Sequence, residues 1–138
     1  RELSFTPYQP AAEEEYMNDA QLAHFRKILL DWKEQLISEA ESTKSYIQDE
    51  STAMPDINDR ATQEEEFALA LRTRDRERKL IRKIDKSIAE IDSGDYGFCE
   101  TCGVEIGLRR LEARPTATQC IDCKTLSEIK EKQAWGHA

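Results

Sequence analysis

Apolar residues recur at helical spacing in a first long stretch of the chain. Five large ones follow one another at alternating steps of three and four residues: Leu22, Phe25, Leu29, Trp32 and Leu36. This spacing is typical of the seam of a coiled coil. It predicts a helix from about residue 18 to 54, with Asn18 or Asp19 as the N-cap. The seam continues more loosely through Ala40, Thr43 and Ile47.

A second stretch predicts a helix from about Asp59 to Ile91. Its apolar seam is formed by Phe67, Leu71, Ile81, Ile84, Ile88 and Ile91. No apolar residue lies between Leu71 and Leu80, so we expect the middle of the helix pair to be weakly packed or held by salt bridges. Two helices with so few apolar residues cannot enclose a globular core, and they predict an antiparallel coiled-coil hairpin.

The turn between the two helices lies at residues 54–61. The residue before a proline disfavours helix, so the first helix should end near Met54. Asp56 and Asp59 are residue types that form turns and cap helices, and the second helix can restart at Asp59. The two carboxylates therefore lie at the tip of the predicted hairpin. Capping alone is sufficient reason for aspartate at such positions.

The remaining segments are shorter. Residues 1–17 contain two prolines and three consecutive glutamates, which predicts an irregular acidic segment that Phe5 and Tyr8 pin onto a helix. The last helix should bury Leu126 and Ile129. The predicted all-α organisation is an N-terminal segment (1–17), a coiled-coil hairpin (18–92, tip 54–61), a globular finger (93–124) and a C-terminal helix (121–134).

Four cysteines form two pairs in the finger segment. They are spaced Cys99-x2-Cys102-x17-Cys120-x2-Cys123, and two such pairs are a strong zinc signature. Four thiolates fill a tetrahedral site and leave no position for substrate, so we expect one structural zinc ion per chain. Disulfides are unusual in the cytosol, and a redox CxxC needs a βαβ context that is absent. His24 and His137 are not needed as ligands.

Charge and composition exclude several function classes. The net charge is −8, which disfavours general binding to DNA phosphates. No apolar run approaches the roughly 18 residues of a membrane span, and nothing argues against a cytoplasmic location. No Ser/His/Asp grouping, P-loop or GxGxxG motif is present, so we expect no enzymatic activity. Asp56 and Asp59 lie on an exposed tip, where nothing separates their pKa values for acid–base work.

The second predicted helix carries a run of basic residues: Arg72, Arg74, Arg76, Arg78, Lys79, Arg82 and Lys83. Such a run is most often a solvated helix face. Arg76, Leu80 and Lys83 nevertheless lie at i, i+4 and i+7, on one side of the helix and next to the seam. That side could hold an anion if a second basic surface faced it.

Longer motifs carry a family resemblance. They are EYMNDAQLAHFR at 15–26, RDRERKLI at 74–81, CETCGVEIG at 99–107, RRLEARPTA at 109–117 and CIDCKT at 120–125. From about Glu14 to Gln133 the chain resembles the four-cysteine, zinc-containing branch of the DksA/TraR family of transcription factors. Residues 1–13 and the last four residues carry little of the likeness.

The resemblance implies a monomeric regulator of bacterial RNA polymerase that does not read DNA sequence. The hairpin would enter the secondary channel of the polymerase and alter open-complex stability during initiation. The family's tip motif, Asp-x-x-Asp-x-Ala, is matched by Asp56, Asp59 and Ala61. The family also binds the stringent-response alarmone guanosine tetraphosphate (ppGpp) at a site shared with the polymerase. The positions that match its contacts are Arg76, Leu80, Lys83, Arg114 and Lys124.

Two other classes of function remain open on the sequence. A zinc-finger module that binds nucleic acid or acts as an adaptor would need a basic surface around the metal. Residues 92–138 instead carry six basic and eight acidic groups. A small hydrolase or nuclease could use Asp56 and Asp59 to hold a metal ion. Gel shifts on bare DNA and assays for metal-dependent turnover would separate both classes from a polymerase-binding protein.

Overall fold

The structure of the protein is a computed structural model that describes residues 5–10, 13–52 and 57–136. Within these residues it contains four helices: α1 (Asp19–Thr52), α2 (Ile57–Ser93), α3 (Leu108–Ala113) and α4 (Ile121–Gly136). Over the same ranges there is no strand, only an isolated antiparallel bridge between Phe98 and Glu105. The all-α class is confirmed. No described helix combines the length and apolar character needed to cross a membrane.

The start of α1 is fixed by a local hydrogen-bond pair. The Asn18 side-chain oxygen accepts the Gln21 backbone N–H at 2.9 Å, as an N-cap residue should. The Gln21 side-chain oxygen in turn accepts the Met17 N–H at 2.6 Å. The first bond satisfies an amide that the first helical turn leaves without an intrahelical partner, and the second holds Met17, just before the helix, against that turn. The predicted N-cap is therefore confirmed at Asn18.

The chain divides into two compact units. The finger unit is built from residues up to Leu29 and from Lys86 onward, and the hairpin unit spans Leu30–Asp85. Both long helices therefore contribute to both units. The predicted boundary between hairpin and finger, at residues 92 and 93, lies inside the finger unit. That boundary stays a prediction from the sequence.

The hairpin unit pairs α1 and α2 in antiparallel order. Lys33, near the start of its α1 portion, bridges Asp85 at 2.6 Å. Tyr46, further along α1, donates a hydrogen bond to Glu66 at 3.3 Å, much earlier on α2. Residues that advance along one helix therefore meet residues that recede along the other, which confirms the predicted hairpin.

The seam of α2 follows a heptad through the hairpin unit. Its inward positions are buried or half-buried: Ala70, Thr73, Glu77, Leu80 and Ile84. Leu71 was predicted to belong to this seam, but it is 44% exposed, and that prediction is wrong. The heptad that passes through Glu77 and Ile84 places residue 70, seven residues earlier, on the inward side. Leu71 is one position past it and turns outward.

Glu77 occupies a core position in the stretch of α2 without apolar residues. It is 7% exposed, and its Oε1 is buried with no hydrogen-bond partner among the described residues. Burying a polar atom without a partner costs about 1–3 kcal/mol. A polar residue at a coiled-coil core position fixes helix register at such a cost in stability. The middle of the hairpin unit therefore contains a carboxylate where an apolar residue would pack better.

Replacing Glu77 with leucine should stabilise the hairpin unit. The change removes the unpartnered carboxylate and adds an apolar side chain of similar size, so the free energy of unfolding should rise by about 1–3 kcal/mol. Urea unfolding followed by circular dichroism measures the change. Glu65→Leu on the exposed face of α2 is the matched control and should change stability by less than about 0.5 kcal/mol. A lower urea midpoint for Glu77→Leu would mean that the carboxylate is satisfied.

The core of the finger unit is aromatic and aliphatic. Its most deeply buried side chains include Phe25, Leu29, Tyr96 and Leu111. The Tyr96 hydroxyl donates to the Pro115 carbonyl at 2.7 Å, and burial is the main cause of the strongly raised pKa of this phenol. One hydrogen bond thus fixes the loop after α3 against the end of α2.

The N-terminal segment packs on this core, as predicted. The ring of Tyr8 lies 5.4 Å from that of His24 on α1, and the ring of Phe5 lies 6.1 Å from it. The Tyr8 backbone N–H donates to Glu112 at 2.7 Å. His24 contacts the same carboxylate at 3.2 Å. Glu112 on α3 therefore joins the N-terminal segment to α1.

Helix α4 differs from the prediction in its exposure. Leu126 is 56% and Ile129 is 46% exposed, so the predicted buried face is wrong. No described element packs over that face sufficiently to bury it. Apolar spacing shows that a helix has an apolar side, but the same spacing occurs on buried and on uncovered faces.

Candidate functional site

Each cysteine pair lies in a local structure that directs both thiols to the same point. In the first pair, the Cys99 N–H donates to the Val104 carbonyl at 2.8 Å, and the Gly103 N–H donates back to the Cys99 carbonyl at 2.9 Å. The second pair lies at the start of α4, where the Cys123 N–H contacts the Cys120 sulfur at 3.5 Å. The first pair of sulfurs is thus positioned by a turn, and the second pair by the start of α4.

The four sulfurs form a metal-sized cluster. All of them lie within 4.8 Å of one another, and the sulfurs of Cys102 and Cys120 are 3.7 Å apart. A tetrahedral ion with zinc–sulfur bonds near 2.3 Å requires sulfurs about 3.8 Å apart. The cysteines are free thiols rather than disulfides. Donor type, number and spacing therefore fit zinc.

Local hydrogen bonding distributes the thiol protons unevenly. Backbone N–H groups at Cys102 and Cys120 are the main reason that the pKa of Cys99 is held at about 6. Hydrogen bonds to the thiols of Cys120 and Cys102 raise the pKa of Cys123 to about 12. A coordinating divalent metal deprotonates such thiols outright. Cys99 is thus the more easily ionised of these two thiols, and a bound ion would ionise the others.

Tyr16 closes the loop that carries the first cysteine pair. Its hydroxyl donates to the Gly97 carbonyl at 2.7 Å and accepts the Gly107 N–H at 3.1 Å. Gly97 has φ 93°, and an added Cβ would lie 3.0 Å from the Tyr16 oxygen and from Met17 Cγ. Glycine is therefore needed for this close approach. Sequence reasoning missed Tyr16 because it lies more than 80 residues from the cysteines that it supports.

Bonds between the two cysteine-bearing segments hold the pairs together. The Glu100 N–H donates to the Thr118 carbonyl at 2.8 Å. The Gln119 side chain reaches Thr101 at 3.1 Å, and Arg110 donates to the Gln119 carbonyl at 3.0 Å. Arg110 belongs to α3, so this unpredicted short helix buttresses the candidate metal site.

The basic positions matched by resemblance are divided between the units. Arg76 and Lys83 are exposed on α2 and Leu80 is half-buried, all within the hairpin unit. Arg114, at the C-cap of α3, is exposed. Lys124 lies in the first turn of α4, where its N–H donates to the Cys120 carbonyl at 3.0 Å. A shared anion site formed by all five remains a prediction.

The tip motif is only partly visible. Asp56 lies outside the described residues. Asp59 lies within the first turn of α2, and Ala61 is exposed. The role of the tip therefore stays a prediction, as does the ligand role of each cysteine.

Comparison with known proteins places these features in a family. A profile described as "DnaK suppressor protein DksA, N-terminal domain" matches residues 21–91, and "Prokaryotic dksA/traR C4-type zinc finger" matches residues 94–128. The chain belongs to the DksA/TraR family. The two DksA/TraR profiles meet at the C-terminal end of α2, because the first ends at residue 91 and the second begins at residue 94. The second profile confirms that the segment with the cysteines is a C4-type zinc finger.

Individual relatives extend the match over most of the chain. "RNA polymerase-binding transcription factor DksA" of Escherichia coli K12 is 62% identical over 130 residues, covering 94% of this chain and 86% of that protein. The Haemophilus influenzae protein of that name is 61% identical, with coverage of 94% and 90%. The structure of transcription factor DksA2 from Pseudomonas aeruginosa superposes with a TM-score of 0.81 at 40% identity, covering 90% and 94% of the two chains. These DksA/TraR relatives are named as transcription factors and not as enzymes.

Proposed function

We propose that the chain is a non-enzymatic transcription regulator that binds bacterial RNA polymerase through the secondary channel and alters open-complex stability. The observation that carries this proposal is the 62% identity over 130 residues to a protein named an RNA polymerase-binding transcription factor. The antiparallel hairpin supports it, because a helix pair is narrow enough to enter a channel. We also propose that the chain acts in the cytoplasm, as a monomer, and does not read DNA sequence.

The zinc finger has a structural part in this proposal. Cys99, Cys102, Cys120 and Cys123 would hold one zinc ion, which supplies cross-linking and charge neutralisation rather than chemistry on a substrate. The chain's own residues orient the ligands: Tyr16 closes the first loop, and Gln119 ties it to the second. The finger thereby fixes the backbone at Arg114 and Lys124, which are two of the proposed alarmone contacts.

Binding to polymerase and binding to nucleic acid are separated by one experiment. Purified chain is mixed with core RNA polymerase or with bare promoter DNA, and the bound fraction is measured in each case. We expect retention by the polymerase and none by the DNA, since residues 92–138 carry a net charge of −2. Retention by bare DNA alone would favour the nucleic-acid-binding zinc module instead.

Asp59→Asn should abolish most regulation and leave polymerase affinity within about threefold. The structure starts α2 at Ile57, two residues before the predicted start at Asp59, so Asp59 is its third residue and not its N-cap. Asparagine has nearly the same shape as aspartate, so the substitution removes the charge and preserves the start of α2. Inhibition of a sensitive promoter in vitro, measured beside polymerase affinity, tests this. Asn58→Asp, one residue away, is a control that adds rather than removes a carboxylate. If Asp59→Asn protein inhibits transcription like the wild type, the charge of Asp59 is not needed for regulation.

The alarmone ppGpp is the proposed effector, bound by Arg76, Leu80, Lys83, Arg114 and Lys124 together with the polymerase. Guanidinium and ammonium groups are suitable partners for a tetraphosphate, because charge-assisted hydrogen bonds to phosphate are short and strong. When the same groups are open to solvent, they bind phosphate weakly, because water weakens the attraction between charges. We therefore propose that the polymerase completes the site and that the isolated chain binds ppGpp poorly.

A further inference from the structure

The basic residues of α2 form two rows and not one. At about 100° per residue, one row contains Arg72, Arg76, Lys79 and Lys83, and the other contains Arg74, Arg78 and Arg82. We call them row one and row two. All seven side chains are exposed. Row one includes the two proposed alarmone contacts on this helix, and row two includes none.

The two rows lie on opposite flanks of the helix. The seam that faces α1 contains Thr73, Glu77, Leu80 and Ile84, all buried or half-buried. Around the helix, row one lies about 100° from the centre of this seam in one direction, and row two about 130° in the other. A ligand held by row one therefore cannot also neutralise row two.

Row two is unfavourable for the isolated helix. Arg74, Arg78 and Arg82 repeat at i, i+4 and i+8, and like charges four residues apart destabilise a helix. No ion pair to these three arginines occurs among the described residues. Asp75 is bound to Lys79 at 2.9 Å. This bond is the main reason that the pKa of Asp75 is lowered, and the charges of Arg78 and Arg82 lower it to a smaller extent.

Some other cations on the long helices do have partners. Lys33 bridges Asp85 at 2.6 Å, and Arg26 bridges Asp92. A face that served only for solubility would be expected to mix both signs of charge in this way. Three guanidinium groups in line, one helical turn apart, instead form a surface that is complementary to a line of carboxylates.

We propose that Arg74, Arg78 and Arg82 form a docking row for an acidic surface of RNA polymerase, on the flank of the hairpin opposite the alarmone contacts. This inference rests on the proposed function and adds a second contact to it. Carboxylates four residues apart on a partner helix repeat at the same spacing of about 6 Å. Arginine pairs with each of them through two parallel hydrogen bonds.

An acidic protein surface fits row two better than nucleic acid does. Three consecutive exposed glutamates, at residues 64–66, lie on the same helix, and the whole chain has a net charge of −8. Both would repel a phosphate backbone that continued past the row, because contacts with nucleic acid depend on neutralising successive phosphates.

The test compares two double variants of the full chain. Arg74→Gln/Arg78→Gln removes two charges from row two, and Arg72→Gln/Lys79→Gln removes two from row one without touching a proposed alarmone contact. Glutamine is a good helix former, and helicity is checked by circular dichroism. Affinity for core polymerase is measured without ppGpp at two salt concentrations, and retention on bare DNA is measured alongside.

We expect the row-two variant to bind polymerase at least about tenfold more weakly at low salt, and the row-one variant to bind within about threefold of wild type. The difference should shrink at high salt, because screening weakens exposed charge pairs. If both variants bind polymerase as tightly as the wild type, or if both lose the same amount of affinity, row two is only a solvated face and the proposal is overturned. Loss confined to DNA retention would assign the row to phosphates. A wild-type chain that does not bind polymerase at all would overturn the proposed function itself.

Discussion

Replacing Cys120 with serine should strip the finger unit of its metal and unfold it locally. A hydroxyl is a poor zinc ligand, and zinc affinity should fall by more than about a hundredfold, because metal binding and folding of a small zinc module are one equilibrium. Metal analysis of the purified protein should give about one zinc per wild-type chain and much less for the variant. Hydrogen exchange should quicken around residues 97–123, where Tyr16 and Gln119 hold the loops.

The matched control is Thr125→Ser, one turn further along α4. Its hydroxyl donates to the Ile121 carbonyl at 2.8 Å, and serine retains that bond, so zinc content should not change. The hairpin unit, Leu30–Asp85, is a separate compact unit and should keep its exchange protection in Cys120→Ser. A variant that retains one zinc per chain under reducing conditions would show that these cysteines are not its ligands.

Removing one proposed alarmone contact should greatly reduce the response to ppGpp. Lys83→Ala or Lys124→Ala should leave basal inhibition nearly intact, because each changes only one charge away from the tip. The lost charged contact should cost about 1.5–3 kcal/mol, or roughly ten- to a hundredfold in the ppGpp concentration required. A ppGpp titration of transcription inhibition measures this, using polymerase that lacks its other alarmone site.

Lys130→Ala, an exposed lysine later on α4, controls for the loss of one positive charge. Its titration curve should overlay that of the wild type. If the Lys124→Ala curve overlays it as well, Lys124 is not an alarmone contact. If the Lys83→Ala curve also overlays that of the wild type, row one is only a solvated helix face.

The long helices could be predicted because their pattern is repeated many times. Steps of three and four residues define α1 over about four turns, and the N-cap predicted near Asn18 is observed at that residue. The cysteine spacing likewise predicted a cluster that the structure forms. Such signals depend on neighbours in sequence, and they do not depend on how distant segments pack.

The predictions that were wrong or missing concern contacts between distant parts of the chain. Leu71 and Leu126 are apolar residues at helical spacing that nothing in the described chain covers, and periodicity cannot distinguish an uncovered face from a buried one. Helix α3 has only six residues, which is too short for a repeat to be recognised. Tyr16 supports the finger from a distant part of the chain. Long-range contacts of this kind became visible only in three dimensions.

The central claim is that the hairpin enters the secondary channel of RNA polymerase. Cryo-electron microscopy of the full chain bound to core polymerase, with ppGpp present, tests it most directly. We predict helical density for α1 and α2 inside the channel with the tip at Asp56 and Asp59 nearest the active centre, and ppGpp beside Arg76 and Lys83. A complex in which the hairpin lies outside the channel, or on DNA alone, would contradict the proposed function.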